Sequence, residues 1–254
     1  IADDGTGMKI YSENPENEER PDNPENPGGP DRYLQDLTVS LNRVNLSELT
    51  SVLPYMPRLS GLLNGDYHIV MDADEHISVA SDMTVHDMAY EGSPIGNLGT
   101  ELVYLQREDD SHAVEARLML DDEEFGLLTG SLTPSPLPKG DGSIDAKFTM
   151  TRFPLSLANG LVPDQLIGLD GYGEGEITIK GTTGKPVVEG EVYLDSAALL
   201  SVPYGVRLRF DDVPVRVVNS QLLLENFTMY AYNDEPLNIM GNIDFHNTDR
   251  VTMD

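Results

Sequence analysis

Residues 169–198 read LDGYGEGEITIKGTTGKPVVEGEVYLDSAA, and the pattern of this stretch decides the fold class. Ile177 and Ile179 alternate with polar residues before the segment Gly-Thr-Thr-Gly-Lys-Pro, and Val192 and Leu194 alternate in the same way after it. A period of two is typical of a β-strand with one apolar and one polar face. Two such runs joined by a glycine-containing turn predict an antiparallel hairpin.

The same period of two recurs along the chain beyond residue 32, and it predicts many short strands with one apolar face each. Further examples are Leu37/Val39/Leu41, Tyr67/Ile69/Met71, Val114/Ala116/Leu118/Leu120, Ile144/Ala146/Phe148/Met150, Val206/Leu208/Phe210 and Phe227/Met229/Ala231. Two segments depart from it. Residues 46–53 show helical spacing before a proline, and residues 154–160 run from a proline to a glycine, so each predicts a helix of about two turns or fewer.

The two halves of the chain resemble each other. At an offset of 107 residues the strand pattern at 37–41 falls on that at 144–148, and at an offset of 109 the pattern at 83–85 falls on that at 192–194. We therefore expect a mainly β fold, an elongated curved antiparallel sheet of β-groove or taco-like form, built of two similar units of about 110 residues with two short helices. Two separate β-sandwiches remain the alternative.

This repeat divides the chain into three parts. Residues 1–31 hold an N-terminal strand and an acidic, proline-rich linker, residues 32–140 form the first unit, and residues 141–254 form the second. The linker, SENPENEERPDNPENPGGPD at 12–31, carries no aliphatic side chain and is predicted to be solvated. Because the chain begins with Ile1 and its last residues, 251–254, predict the start of another strand, we interpret it as a segment of a longer protein.

The charge balance excludes several functions. The chain has 254 residues with 44 Asp+Glu against 16 Lys+Arg, a formal net charge of −28, and such a surface repels nucleic-acid phosphates. No cysteine is present, which excludes disulfides and thiolate metal sites. No apolar run reaches the roughly 18 residues that a membrane-spanning helix needs.

No motif predicts catalysis, a metal site or a cofactor. Residues 181–186 lack the spacing of a phosphate-binding loop, no Gly-x-Ser-x-Gly elbow occurs, and tryptophan is absent. The alternation places His68 and His112 on polar strand faces as solvated histidines. The acidic runs at 121–124 and 72–75 lack the spacing of an EF-hand loop, and weak calcium binding by so acidic a surface stays open.

The second unit resembles the TamB family of Gram-negative translocation and assembly proteins, relatives of the AsmA-like envelope proteins. The resemblance rests on the string G-x-G-x-I-x-I-x-G-T…K-P-x-V-x-G-x-V-x-L-x-x-A within residues 173–198, and on Tyr204-Gly205 and Ile239-x-Gly241-x-Ile243. It covers about residues 144–248 and, through the internal repeat, residues 37–137. The Gly-Thr and Lys-Pro signature is missing at residues 77–80, and the acidic linker is foreign to the pattern.

The resemblance implies a non-enzymatic periplasmic rod that bridges the inner and outer membranes, with its membrane anchor outside this segment. Family members are implicated in outer-membrane protein insertion and in phospholipid transport, so the implied partners are phospholipid acyl chains and the outer-membrane assembly machinery. No catalytic residue, cofactor or metal is implied.

The apolar strand faces are the candidate functional surface. The candidate groove-lining residues are Leu118, Leu120, Val206, Leu208, Phe210, Leu222 and Leu224. Ordinary packing in a closed core is the alternative for each, and a structural or adhesive β-sandwich at the cell surface is the corresponding alternative for the whole chain. A glycan-acting enzyme with two carboxylates at catalytic separation is a further alternative.

Overall fold

The structure is a computed structural model that describes residues 7–13, 33–48, 58–90, 92–137, 140–161, 167–201, 203–211, 213–232, 234–244, 246 and 252–253. Within these residues fifteen strands form one antiparallel sheet, which confirms the predicted mainly β fold and elongated curved sheet. The strands are β1 (Gly7–Glu13), β2 (Tyr33–Asn45), β3 (Leu59–Asp72), β4 (Ile77–Tyr90), β5 (Ser93–Gln106), β6 (His112–Leu120), β7 (Glu123–Thr133), β8 (Ser143–Pro154), β9 (Ile167–Thr182), β10 (Lys185–Ser201), β11 (Val206–Phe210), β12 (Pro214–Val218), β13 (Gln221–Tyr230), β14 (Pro236–Asp244) and β15 (Thr252–Met253).

Each strand pairs with the next strand in sequence, except that β11 and β12 share one position between β10 and β13. β11 pairs with the last residues of β10, and β12 pairs with its middle. The two halves of the chain meet where β7 pairs with β8 from Gly126↔Met150 to Thr133↔Ser143. The described residues therefore form one continuous sheet and not two separate sandwiches.

Short hairpin turns produce this order because neighbouring antiparallel strands need only a few connecting residues. The β9–β10 hairpin turns at residues 183–184, inside the predicted Gly-Thr-Thr-Gly-Lys-Pro segment. The β6–β7 turn has positive φ at Asp121 and Asp122, and the β12–β13 turn has it at Asn219 and Ser220. Aspartate and asparagine tolerate this conformation better than most residues.

β-bulges repeat between the two halves of the chain. Arg43 and Arg152 have φ of 50° and 59° at register shifts in β2 and β8, and they lie 109 residues apart. Asp87 and Ser196, with φ of 50° and 53°, lie the same distance apart at register shifts in β4 and β10. The bulges therefore support the similarity of the two units that the sequence predicts.

A helical segment follows each of the first bulged strands, as expected. Residues 46–48 are helical, whereas residues 49–53 of the first predicted helix lie outside the described residues. The second segment is a 3₁₀ helix, Leu155–Leu161. Of the predicted linker, residues 12–13 belong to β1, and residues 14–31 lie outside the described part of the chain.

The 3₁₀ helix identifies the concave face of the sheet. It contacts both β9 and β5, although β5 lies three strand positions before β8. An added Cβ at Gly173 would lie 3.6 Å from Leu155 Cδ2, so the helix packs over the side of the sheet to which Gly173 turns. We call this side the inner face and the opposite side the outer face.

An aromatic cluster supports the sheet beside this helix. The ring of Phe153 lies 5.5 Å from that of Phe125 and 5.9 Å from that of Phe148, in edge-to-face arrangements that favour aromatic packing. The bulge at Arg152 places two residues between Met150 and the next register partner, Phe153, so both side chains turn to the inner face. The bulge therefore supplies the ring that anchors this end of the sheet.

Candidate functional site

One row of directly opposed residues runs along the inner face from β1 to β14. Opposed residues of antiparallel strands place their side chains on the same side of the sheet. The row, called the central row below, consists of Ile10, Val39, Tyr67, Ser81, Leu102, Ala116, Leu128, Phe148, Ile177, Gly190, Val217, Leu222 and Ile243. Only Ser81 and Gly190 in it are neither aliphatic nor aromatic. At a strand spacing of about 4.8 Å, its path is about 58 Å long.

Two parallel rows widen this apolar strip. One consists of Leu37, Ile69, Val79, Tyr104, Val114, Gly130, Ala146, Ile179 and Val188. The other consists of Met8, Leu41, Gly65, Met83, Thr100, Leu118, Gly126, Met150, Gly175, Val192 and Val215. Neither row contains an ionisable carboxylate or a basic side chain, so the strip is uncharged over most of the sheet.

The outer face carries the charge. Asp66, Asp82, Glu101 and Arg117 oppose one another on successive strands. Further along, Lys147 Nζ lies 2.6 Å from Glu176 Oε1, and other exposed ion pairs recur on the same side. The sheet therefore separates an acidic, solvated face from an uncharged, apolar one.

The inner face is largely only half-buried. Among the described residues the fully buried apolar side chains are few, and on the central row they are Ala116 and Val217, with 5% and 7% exposure. Leu102, Leu128, Phe148 and Ile177 keep intermediate exposure. A second layer packed over this face would bury these side chains as a sandwich core does, so the strip remains accessible from one side.

Tyr67 reports the environment of the central row. Burial raises the pKa of its phenol above the ordinary value of 10.0. Its hydroxyl contacts the thioether sulfur of Met83 on the adjacent strand. The inner face is thus apolar enough to disfavour a charged phenolate.

The pairing register places all seven predicted groove-lining residues on the inner face, in two groups. Leu118 and Leu120 lie on β6, whereas the other five lie on β11 and β13. Phe210 packs against Phe227 at 5.1 Å between ring centroids, and Val206 is 42% exposed. The strands from β7 to β10 separate the groups, so the candidates do not form one local cluster.

Sequence reasoning missed the side chains that connect these groups. They are Leu128, Phe148 and Ile177 of the central row, which oppose one another on β7, β8 and β9. The alternating pattern marks each of them as apolar and inward-facing. What it lacks is the register that makes them neighbours.

The prediction for His112 is wrong. His112 opposes Gln106 and Leu132 and shares the inner face with Val114, two residues further along β6. An even number of residues separates it from the apolar positions, so strict alternation itself requires the inner face. His68 does lie on the outer face, with a side chain 52% exposed and Nε2 2.7 Å from Asp36 Oδ1.

The acidic groups at strand ends serve the turns. One ligand atom each of Asp72, Asp74 and His76 lies within 4.8 Å of the others. However, Asp72 Oδ1 accepts the backbone N–H groups of Asp74 and His76, both at 2.9 Å. The bond from His76 is the main cause of a lowered Asp72 pKa. Asp121 similarly accepts hydrogen bonds from Asn97. These carboxylates therefore stabilise hairpins.

Comparison of the chain with protein-family models, curated proteins and solved structures gave no match. Among the described residues, no helix has the length and apolarity needed to cross a membrane.

Proposed function

We propose that this chain is a non-enzymatic segment of a TamB-like periplasmic protein that bridges the inner and outer membranes. In this proposal its inner face shields phospholipid acyl chains moving between the membranes and assists the outer-membrane assembly machinery, and its membrane anchor lies outside this segment. The central row carries the proposal, because it offers one uncharged apolar path of about 58 Å along the curved sheet.

The energetics favour a hydrocarbon ligand. Keeping one methylene group from water is worth about 0.8 kcal/mol, so sheltering half of a 16-carbon chain is worth about 6 kcal/mol. The half-exposed side chains of the strip gain from the same contact, because their own exposed area is covered. A continuous strip also lets a chain advance by one strand without full exposure to water.

The outer face supports the same proposal from the other side. A net charge of −28 keeps an elongated sheet soluble and discourages association between sheets. It also disfavours contact of the outer face with anionic headgroups or nucleic acid. Lipid would therefore occupy the inner face alone.

Two neighbouring leucines provide a matched test. Leu128 lies on the central row between Ala116 and Phe148, whereas Leu127 lies on the outer face between Arg117 and Thr149. We expect native mass spectrometry in detergent-free buffer to detect phospholipid bound to the parent protein and to the Leu127→Glu variant. We expect Leu128→Glu to lose it, since a carboxylate in the strip must be desolvated by the acyl chain.

Circular dichroism and urea unfolding of both variants establish that the sheet is retained. Parent protein that binds no phospholipid after incubation with vesicles would contradict the proposal and favour a structural β protein. Equal loss of lipid from both leucine variants would also contradict it, because binding would then not depend on the inner face.

A further inference from the structure

A polar pair interrupts the apolar inner face beside a depression of about 460 Å³. The depression lies on β5 to β8 at the end where β5 turns into β6, and Val114, Leu132, Ile144 and Ala146 supply its apolar lining. Tyr104 and His112 line it as well. Its volume falls within the range of about 300–1,000 Å³ typical of small-molecule sites.

Tyr104 and His112 are held together as a unit. The hydroxyl of Tyr104 lies 2.7 Å from Nδ1 of His112, and the two rings stack at 5.9 Å with an interplanar angle of 19°. The residues sit on adjacent strands, so the sheet fixes their separation. Stacking and hydrogen bonding together orient both rings toward one depression.

The pair leaves a hydrogen-bond donor available to a ligand. A neutral phenol and a neutral imidazole carry one donor each, and their mutual hydrogen bond uses one of these two donors. In either tautomer the second donor, the phenol O–H or the Nε2–H, has no acceptor among the side chains and backbone groups of the described residues. An acceptor oxygen on a ligand satisfies it.

Space for a chain continues from this point. Gly130 opposes both Val114 and Ala146, and an added Cβ there would lie 3.2 Å from Ala146 Cβ. The small residues Gly130 and Ala146 therefore lower the floor between β6 and β9. Ile179 on β9 extends the same row in the direction away from the polar pair.

We infer that Tyr104 and His112 form a headgroup subsite, which binds an acceptor oxygen at the head of a single acyl chain whose tail lies over Val114, Gly130, Ala146 and Ile179. The inference rests on the proposed function and adds a fixed stopping point within it. The ligand chemistry is an oxygen acceptor on a hydrocarbon chain, which a fatty-acid carboxylate or a phospholipid ester or phosphate supplies.

The test compares a double variant with a histidine control on the outer face. Tyr104→Phe with His112→Leu removes the donors and keeps the apolar volume, whereas His68→Leu removes a histidine that faces Asp36 on the outer face. Binding of palmitate and of a phosphatidylglycerol with palmitoyl and oleoyl chains is measured separately by native mass spectrometry and by competition with a dansyl-labelled fatty acid.

Loss of one hydrogen bond worth about 1 kcal/mol predicts an affinity reduced about fivefold to tenfold in the double variant, with the control unchanged. The ligand that shows this reduction identifies the source of the head oxygen. A nuclear Overhauser contact between the ligand's first methylenes and the His112 ring is expected as well.

Unchanged affinity of the double variant for both ligands overturns the headgroup subsite and leaves the proposed function standing. Absence of binding to the parent protein by either ligand overturns both. An equal loss in the His68→Leu control overturns the subsite, because the effect would then not depend on the inner face.

Discussion

Replacement of Gly175 by alanine is expected to break the sheet between β9 and β10. Gly175 has φ of 148°, a conformation that residues with a Cβ rarely adopt, and an added Cβ would lie 2.1 Å from the carbonyl oxygen of Glu191. Since no real Cβ contact is so short, β10 must move away from β9. The change therefore acts on the backbone and not on a flexible side chain.

The cost follows from two contributions. Backbone strain of this kind is worth about 1–3 kcal/mol, and each ladder hydrogen bond lost by separating the strands is worth about 1 kcal/mol. With two such bonds weakened, Gly175→Ala is expected to lower the free energy of unfolding by about 3–5 kcal/mol.

Gly168 on the same strand provides the control. An added Cβ there would meet its nearest neighbour, Leu200 Cβ, at 3.7 Å, which is an ordinary contact. Gly168→Ala is therefore expected to change stability by less than about 1 kcal/mol.

Urea unfolding measures both variants, and hydrogen exchange read by mass spectrometry over residues 170–200 locates the damage. Exchange is expected to rise in β9 and β10 in Gly175→Ala alone. Equal stability of the two variants would refute the reasoning, because it would mean that the two strands are not packed as closely as this geometry requires.

Three further changes test the anchoring of the helix, the surface ion pairs and the acid response. Asn159 accepts the N–H of Leu169 at 2.6 Å and donates to its carbonyl at 3.1 Å, so Asn159→Ala should cost about 2–3 kcal/mol in urea unfolding. Arg207 forms an exposed ion pair, so Arg207→Gln should cost less than about 1 kcal/mol, with no added salt dependence of the melting temperature. The backbone N–H of His246 is the main cause that holds the Asp244 pKa at about 2, below the ordinary 3.8. Because the folded value is the lower one, this stabilisation is complete above pH about 4 and is lost toward pH 2; melting temperatures of the parent and Asp244→Asn should therefore converge on acidification.

The bulged strands mark the limit of what local patterns can predict. Strict alternation from Met150 turns Arg152 inward and Phe153 outward, but the bulge at Arg152 reverses this and brings Phe153 to Phe125 and Phe148. Arginine at positive φ carries no sequence signal, since the conformation is stabilised by the pairing of β8 with β9. The sequence repeat nevertheless predicts that whatever happens in β2 happens again in β8, and the bulges follow that expectation.

The candidate site shows the same division. Leu118, Leu208 and Leu222 are recognisable as inward-facing from the period of two, because side-chain alternation along a strand is a local property of the extended backbone. Their relation to Leu128 and Phe148 is not recognisable, since opposition across strands depends on turn lengths and bulges throughout the sheet. The pairing of Tyr104 with His112 belongs to this second kind.

The amino-acid sequence by itself determined a mainly β protein with an apolar and an acidic face on its strands, ordered as two similar halves, because alternation, turn residues and repeats act over short distances. Only the tertiary structure decided that both halves share one continuous sheet, that the apolar faces align into a single half-exposed row, and that His112 joins it. These features depend on register and curvature, which many weak contacts between distant residues set together.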